Sequence, residues 1–250
     1  MMERNAAFVV LGATGAVGEN VSLRLRQDGF SVVVGGRDAE RTEALAGRLD
    51  AEPCVVDVTD PDQVAACIDT SKQRFGRLDG IANCAGSLLL KPAHLTTGDE
   101  WDSVIRVNLT SAFSTVKAGA KAMQREGGSI VLISSAAARV GLPNHEAIAA
   151  AKAGVEGLIL SAAATYASRG IRVNGVAPGL VKSQMTQQLT SNPDSLKVSK
   201  AMHPLGRVGE PDDVASAIAW LLDARNSWVS GQVIGVDGGL ARLRGRMKSA

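Results

Sequence analysis

Short runs of β-branched residues alternate with longer helix-like segments along almost the whole chain, and no other feature narrows its fold so far. "AFVVLG" at 7–12 reads as a first strand. "AVGENVSLRLRQDG" follows as a helix closed by Gly29, since glycine accepts the backbone that ends helices. "SVVVGG" at 31–36 is a second strand, "AERTEALAGRL" a helix and "EPCVVDV" a third strand. Pro61 stands near the start of a helix reaching about Phe75, and "DGIANCAG" is a fourth strand. A helical stretch covers roughly 99–126, and "GSIVLISS" is a fifth strand. The next helix runs to about Ser168, with "IRVNGVAPG" and "GQVIGVDGG" as sixth and seventh strands. Apolar runs without alternation are buried on both faces, and strand–helix repetition implies parallel pairing. The expected fold is α/β: one doubly wound domain, a seven-stranded parallel sheet flanked by helices. It spans 1–250, with a core of about 6–240 and a basic tail at 241–250.

A chain of 250 residues can bury such a core without disulfides or metal. Its net charge of +2 is small and evenly spread, which argues against nucleic acid as a partner. The one basic cluster, Arg242, Arg244, Arg246 and Lys248, reads as a solvated end. Cys54, Cys67 and Cys84 are odd in number and lack CxxC spacing. Cys54 and Cys84 fall in apolar strand-like runs, so buried free thiols in a reducing compartment are expected. His94, His145 and His203 are scattered, and no metal site is expected. No signal segment is read at the N-terminus, and no apolar stretch is read as long enough to span a membrane. A soluble, cytoplasmic protein without membrane contact is the expectation.

Between the first strand and first helix stands "GATGAVG", a G-x-x-G-x-x-G turn comprising Gly12, Thr14, Gly15, Ala16, Val17 and Gly18. Bare glycines let a pyrophosphate approach a helix N-terminus, where free N–H groups and the dipole favour anions. At the first strand–helix junction, the turn predicts a Rossmann dinucleotide site. The second strand then bears on the coenzyme's form. A carboxylate at its end would bind the ribose 2′-hydroxyl of NAD. Here Gly35 and Gly36 stand there, followed by Arg37, whose guanidinium suits the 2′-phosphate of NADP. NADP(H) is the expected cofactor. The alternative makes Arg37 a solvated loop residue and Asp38 merely the cap of the next helix.

With these motifs in order, residues 6–240 resemble a short-chain dehydrogenase/reductase, most closely the branch of the 3-oxoacyl-carrier-protein reductases. "VVDVTD" matches the segment whose Asp57 and Val58 lie beside adenine. "NCAG" supplies Asn83, Ala85 and Gly86, which in the family brace the sheet and flank the adenosine ribose. "VNLTS" supplies Asn108, the family's active-site asparagine, which kinks its helix and holds a water in a proton relay. "IVLISSAA" supplies Ser135, expected to bond the reacting carbonyl. In "VNGVAPGLVKSQMT", Pro178 and Gly179 are expected to pack on the nicotinamide, with Val181 and Ser183 at its carboxamide. "HPLGRVGEPDDVASAIAWLLD" and "SGQVIGVDGG" match the C-terminal signature. Relatives are commonly homotetramers built through paired helices and the C-terminal segment, so a homo-oligomer, tetramer or dimer, acting on a small molecule is implied.

The resemblance also marks a departure. In the family, a tyrosine four residues before the lysine protonates the substrate oxygen while NAD(P)H delivers hydride. Lys152 stands at the lysine position, and Ile148 where the tyrosine belongs. The sole tyrosine, Tyr166, lies near the far end of the same helix. The enoyl reductases place their tyrosine seven residues before the lysine, and that position here is His145. On a 3.6-residue period, His145, Ile148 and Lys152 share one helix face. His145 is therefore the candidate substitute proton donor, since imidazole titrates near neutrality. Its alternative is a surface histidine between Asn144 as cap and Glu146 in the first turn. Ser135 has an alternative as a strand-end hydroxyl bonding backbone. Arg139 reads as a solvated loop arginine, or else a guide for an anionic substrate. Three functions follow: an NADP(H)-dependent carbonyl/alcohol oxidoreductase with an atypical proton donor, an ene-type reductase of an activated C=C bond, or a non-catalytic NADP-binding protein. Substrate choice is assigned to variable loops at about 139–147 and 183–205.

Overall fold

A computed structural model describes residues 5–244. Its strands are β1 (Ala7–Leu11), β2 (Ser31–Gly36), β3 (Glu52–Val55), β4 (Gly80–Asn83), β5 (Gly128–Ile133), β6 (Ile171–Pro178) and β7 (Val233–Val236). They form one parallel sheet in the order β3-β2-β1-β4-β5-β6-β7. The fold is the α/β Rossmann arrangement read from the sequence. Strand order reverses beside β1 and β4, and their carboxyl ends open the crevice where such sheets take ligands.

Both sheet faces are covered, which is why the strands carry no polar stripe. Phe8 and Val10 of β1 pack on one side with Leu25 of α1 (Ala16–Gln27), Leu45 of α2 (Ala39–Leu49) and Ile218 of α9 (Pro211–Leu222). Val9 and Leu11 point the other way. They join Ile68 of α3 (Pro61–Phe75), Val116 of α5 (Ser111–Ala122) and Ile159 of α6 (Glu146–Tyr166). Each such side chain contributes about 1.5–3 kcal/mol through burial. Prolines stand in the first turns of α3 and α9, where their missing N–H costs nothing. Gly29 takes a φ of 84° just past α1, as a glycine at that position requires.

Several expectations change in detail. The 99–126 helix is α4 (Gly98–Ile105), a π-helical turn (Arg106–Thr110) and then α5, which stops at Ala122. The supposed loop at 183–205 carries α7 (Gln187–Ser191) and α8 (Pro193–Met202), the latter capped by the Asn192 side chain. β3 ends at Val55 because Asp57 turns inward to accept hydrogen bonds from Thr59 N and Oγ1. Cys67 on α3 is fully buried and Cys54 is partly exposed; Cys84 keeps some residue surface, but its thiol is enclosed. One segment, Glu146–Arg169, is long and apolar enough to cross a membrane by length and composition, contrary to expectation. Its apolarity has a local cause: Val155 and Ile159 enter the core beneath the sheet. Arg242 and Arg244 of the tail are exposed, while Arg246 and Lys248 lie outside the described residues.

Candidate active site

The glycine turn sits at the carboxyl end of β1 and is held by close backbone contacts. Gly12 has a φ of +69°, and a Cβ there would lie 2.6 Å from Ala85 N. A Cβ on Gly18 would lie 2.3 Å from the Gly12 carbonyl oxygen. Gly15, at the exposed tip, meets only an ordinary contact. It is the N-cap of α1, and no side chain caps that end, so the first-turn N–H groups of Ala16, Val17 and Gly18 lack intrahelical acceptors. This is a cradle for an anion.

The end of β2 lies beside the turn. A Cβ on Gly36 would lie 2.4 Å from Thr42 Oγ1 and 2.9 Å from Thr14 Cγ2, so no carboxylate fits without displacing both. Asp38 caps α2, accepting from Arg41 N at 3.0 Å. Arg37 is exposed, and its charge helps hold the Asp57 carboxyl below the usual range, after the larger effect of the Thr59 hydrogen bonds. Arg41, which was not singled out in the sequence, donates to Thr14 O at 2.9 Å. Arg41 therefore borders the turn, while Arg37 acts on Asp57 beyond the end of β3. The available signal was the four-residue spacing of Arg37 and Arg41.

Asn83 at the end of β4 is buried, donates to Thr115 Oγ1 at 3.0 Å and accepts from Ala85 N at 3.0 Å. It ties the end of this central strand to α5 and to the backbone that follows β4. Asn108 lies in the π-turn. Its Nδ2 donates to Ser87 Oγ and Val104 O, each at 3.0 Å, and its Oδ1 accepts from Ser87 N. A Cβ on Gly86 would lie 3.1 Å from Asn108 Oδ1 and 3.7 Å from Lys152 Nζ, so bare backbone separates these groups.

Lys152 is buried on the inner face of α6 and donates to Ile133 O at 2.9 Å. Burial holds its pKa down to about 8, with Cys84 acting in the opposite sense. Its neighbour Cys84 is pushed up to about 12, also by burial. Ser135 follows β5; its Oγ accepts from Ala137 N at 3.1 Å, which leaves its O–H free to donate.

A cavity of about 280 Å³ joins these elements. Ser135, His145, Ile148, Pro178 and Gly179 line it, together with Leu88, Leu90, Leu142, Leu180, Leu189, Met202 and Leu240. No charged carboxylate, lysine or arginine is among its lining residues. His145 and Ile148 thus share the face that helical spacing predicts. Tyr166 packs against the core about 27 Å along the helix from Ile148, at ~1.5 Å per residue.

His145 itself is the N-cap of α6; Asn144, expected in that role, has a φ of 63°. The His145 Nδ1–H donates to Pro143 O at 2.7 Å, since a carbonyl only accepts, and this leaves Nε2 available. His203 also lines the cavity but has both nitrogens engaged, by Ser199 O and by Leu180 N. Arg139 is neither a solvated loop residue nor a guide. Its guanidinium pairs with Glu156 at 2.8 Å and donates to Val233 O. Val181 is buried and bridges to Gly209. Ser183 hydrogen-bonds Thr186 Oγ1, and it is Thr186 that reaches the cavity.

A family model described as enoyl-(acyl carrier protein) reductase matches residues 12–241. The 3-oxoacyl-[acyl-carrier-protein] reductase of Thermotoga maritima is 36% identical over 244 residues, covering 93% of this chain and 96% of its own. This chain belongs to the short-chain dehydrogenase/reductase family. The cis-4-hydroxycyclohexanecarboxylate dehydrogenase of Sinomonas cyclohexanicum is 39% identical over 238 residues, covering 92% and 94%. Among solved structures, a variant actinorhodin polyketide ketoreductase with NADPH superposes with a TM-score of 0.90 at 27% identity, covering 97% of this chain and all of that one. Within this short-chain dehydrogenase/reductase, the glycine turn lies against Ala85, Gly86 lies beside Asn108 and Lys152, and Ser135 lines the cavity.

Proposed function

We propose that this short-chain dehydrogenase/reductase uses NADP(H) to reduce or re-form a carbonyl on a small, neutral, carbon-rich substrate, with His145 as proton donor. The observation that carries the reading is a buried Lys152, held down to about 8, beside Gly86 and bonded to Ile133 O, two residues before the Ser135 that lines an uncharged cavity. The residues fit the coenzyme, because no side chain caps the start of α1 and its first-turn N–H groups lack intrahelical acceptors. Ala16, Val17 and Gly18 would hold the pyrophosphate with N–H groups, and Thr14 lies beside them. Arg37 and Arg41 would take the 2′-phosphate. Asp57 and Val58 would floor the adenine, and Asn83, Ala85 and Gly86 would flank the ribose. Pro178, Gly179, Val181 and Ser183 would bear on the nicotinamide end, where Lys152 would hold its ribose. When bound, NADPH supplies the hydride.

The chain's own groups then manage the substrate oxygen. The free O–H of Ser135 donates to the carbonyl and orients it. As negative charge develops on that oxygen, the doubly protonated His145 ring delivers its Nε2 proton and returns to the neutral form, while its Nδ1–H stays bonded to Pro143 O. Lys152 adds positive charge at short range in a site of low polarity, where such a charge is worth more than in water. Apolar walls exclude water that would compete for the proton.

Ile148 favours a second reading. With an apolar residue at the usual acid position and the candidate donor seven residues before Lys152, the spacing follows the enoyl reductases named by the family model. An activated C=C bond would then be the acceptor. NADPH oxidation against panels of uncharged cyclic ketones and enones tests both. Turnover of ketones carries the first reading and turnover of enones alone carries the second. NADPH binding without turnover on either panel would overturn both, and turnover gained only by Ile148→Tyr would mark a pocket that has lost its donor. Assembly follows the same family reading. Phe113 on α5 and Leu160 on α6 are more than half exposed, an apolar face suited to a second copy, and sedimentation of a monomer would contradict it.

A further inference from the structure

Two of the three cysteines, unused in the chemistry above, meet beneath the adenosine end of the crevice. Cys54 on β3 is the register partner of Gly35 on β2, and parallel partners project to the same face of the sheet. That face is covered by α3. A Cβ on Gly35 would lie 3.1 Å from Cys67 Sγ, so the glycine leaves room for a thiol from each side. The Cys54 and Cys67 thiols are close enough there to act on each other's charge, and Cys54 Sγ lies 3.9 Å from Val55 O. Cys67 is fully buried, while Cys54 is partly open to solvent. The neighbouring Cys67, helped by Thr70, holds Cys54 down to about 7 against the effect of burial, while the same neighbour and burial push Cys67 up. An accessible thiolate with a second thiol in contact is the arrangement of redox-sensitive cysteines. Cys84 offers the contrast: it stands apart, and burial pushes it up to about 12.

We propose that Cys54 and Cys67 form a peroxide-reactive dithiol whose closure to a disulfide weakens coenzyme binding. The Cys54 thiolate attacks one oxygen of hydrogen peroxide and the O–O bond breaks. The departing hydroxide takes up the proton Cys54 had released, forming water and leaving a sulfenic acid. The Cys67 sulfur then displaces the second hydroxyl, which leaves as water with the Cys67 proton. Two thiols lose two electrons and the peroxide gains them. The new bond of about 2.05 Å draws β3 and α3 together. Between the two cysteines lies the turn carrying Asp57 and Val58, fixed by Thr59 and by Gln63, whose side-chain oxygen accepts from Asp57 N. A shift at both ends of this turn displaces the adenine floor. The effect on affinity rests on the NADP reading; formation of the disulfide does not.

The test is peroxide treatment of the reduced, full chain, followed by non-reducing peptide mapping and NADPH titration. The expected result is a Cys54–Cys67 cross-link with Cys84 still reduced. The NADPH dissociation constant should rise roughly tenfold, equivalent to 1.4 kcal/mol, and recover with dithiothreitol. Cys54→Ser should bind NADPH as the reduced protein does and be indifferent to peroxide, and Cys67→Ala should stop at a Cys54 sulfenic acid that a dimedone probe captures. Equal oxidation of all three thiols would overturn the proposal. So would Cys54 oxidised beyond sulfenic acid with Cys67 free, or a disulfide that leaves NADPH affinity unchanged. If the reduced protein binds no NADPH, the coenzyme reading fails, and the peptide map still judges the disulfide by itself.

Discussion

Around the glycine turn the decisive contacts run from backbone to backbone, with Gly12 against Ala85 and Gly18 against Gly12. Around the cavity at the start of α6 they run between side chains, and Ile148 sits there among Val104, Ala147 and Ala151. A backbone contact cannot be exchanged without moving the sheet it belongs to. A side chain can be exchanged while its helix stays in place. On the proposed reading, this contrast lets the chain keep the backbone of a nucleotide cradle while isoleucine stands at position 148. Lys152, Ser135 and Asn108 stand on or beside elements the core already holds, so exchange of the side chain at 148 leaves their backbone in place.

The sharpest way to break the comparison is Gly18→Ala. Its Cβ would meet backbone at 2.3 Å, so NADPH binding should be lost and the fold weakened by about 1–3 kcal/mol, as overpacking costs. Gly15→Ala, with only an ordinary contact, should fold as the parent does; equal thermal destabilisation of the two would contradict the backbone account. Next comes Lys152→Met, expected to lower kcat/KM by about 100-fold or more, as loss of a preorganised charge does. It should also change the pH dependence of stability. The folded pKa is depressed from 10.5 to about 8, so between these values the unfolded chain holds more protons. Stability conferred by this position therefore rises with pH across that window, by up to about 3 kcal/mol, and the rise should vanish in Lys152→Met. Urea titrations of both chains near the two ends of the window measure it. A smaller effect is expected from Arg37→Ala. Losing charge-assisted hydrogen bonds should weaken NADPH by about 10- to 100-fold and leave NADH nearly unchanged; equal loss for both would remove the 2′-phosphate assignment.

The same contrast governs what could be read from the sequence. The strands and the glycine turn were legible because a glycine at a strand–helix junction, or an apolar run between breakers, has few other uses. Lys152, Ser135 and Asn108 were singled out through the order of their motifs, and their roles belong to the proposed function. The π-turn at Arg106–Thr110 was legible only through the resemblance, which puts a kink at Asn108, because one added residue in a helix leaves no compositional mark. Arg139 was misread because its partner, Glu156, is distant in sequence and the two meet only once α6 packs. Arg41 was overlooked because a lysine or arginine in a first helical turn is usually solvated, and only the fold brings it to Thr14. Asn144 looked like a cap, yet its left-handed backbone gives that position to His145. The pairing of Cys54 with Cys67 depends on β2–β3 register, which sequence does not supply.

The central claim is that the coenzyme machinery is intact and that His145 supplies the proton the family draws from tyrosine. Its most direct measurement compares His145→Ala with the parent chain, by steady-state reduction of an uncharged cyclic ketone and by NADPH titration. The account predicts a fall in kcat of about 10²- to 10⁴-fold with the NADPH dissociation constant unchanged. Unaltered turnover in His145→Ala would contradict it.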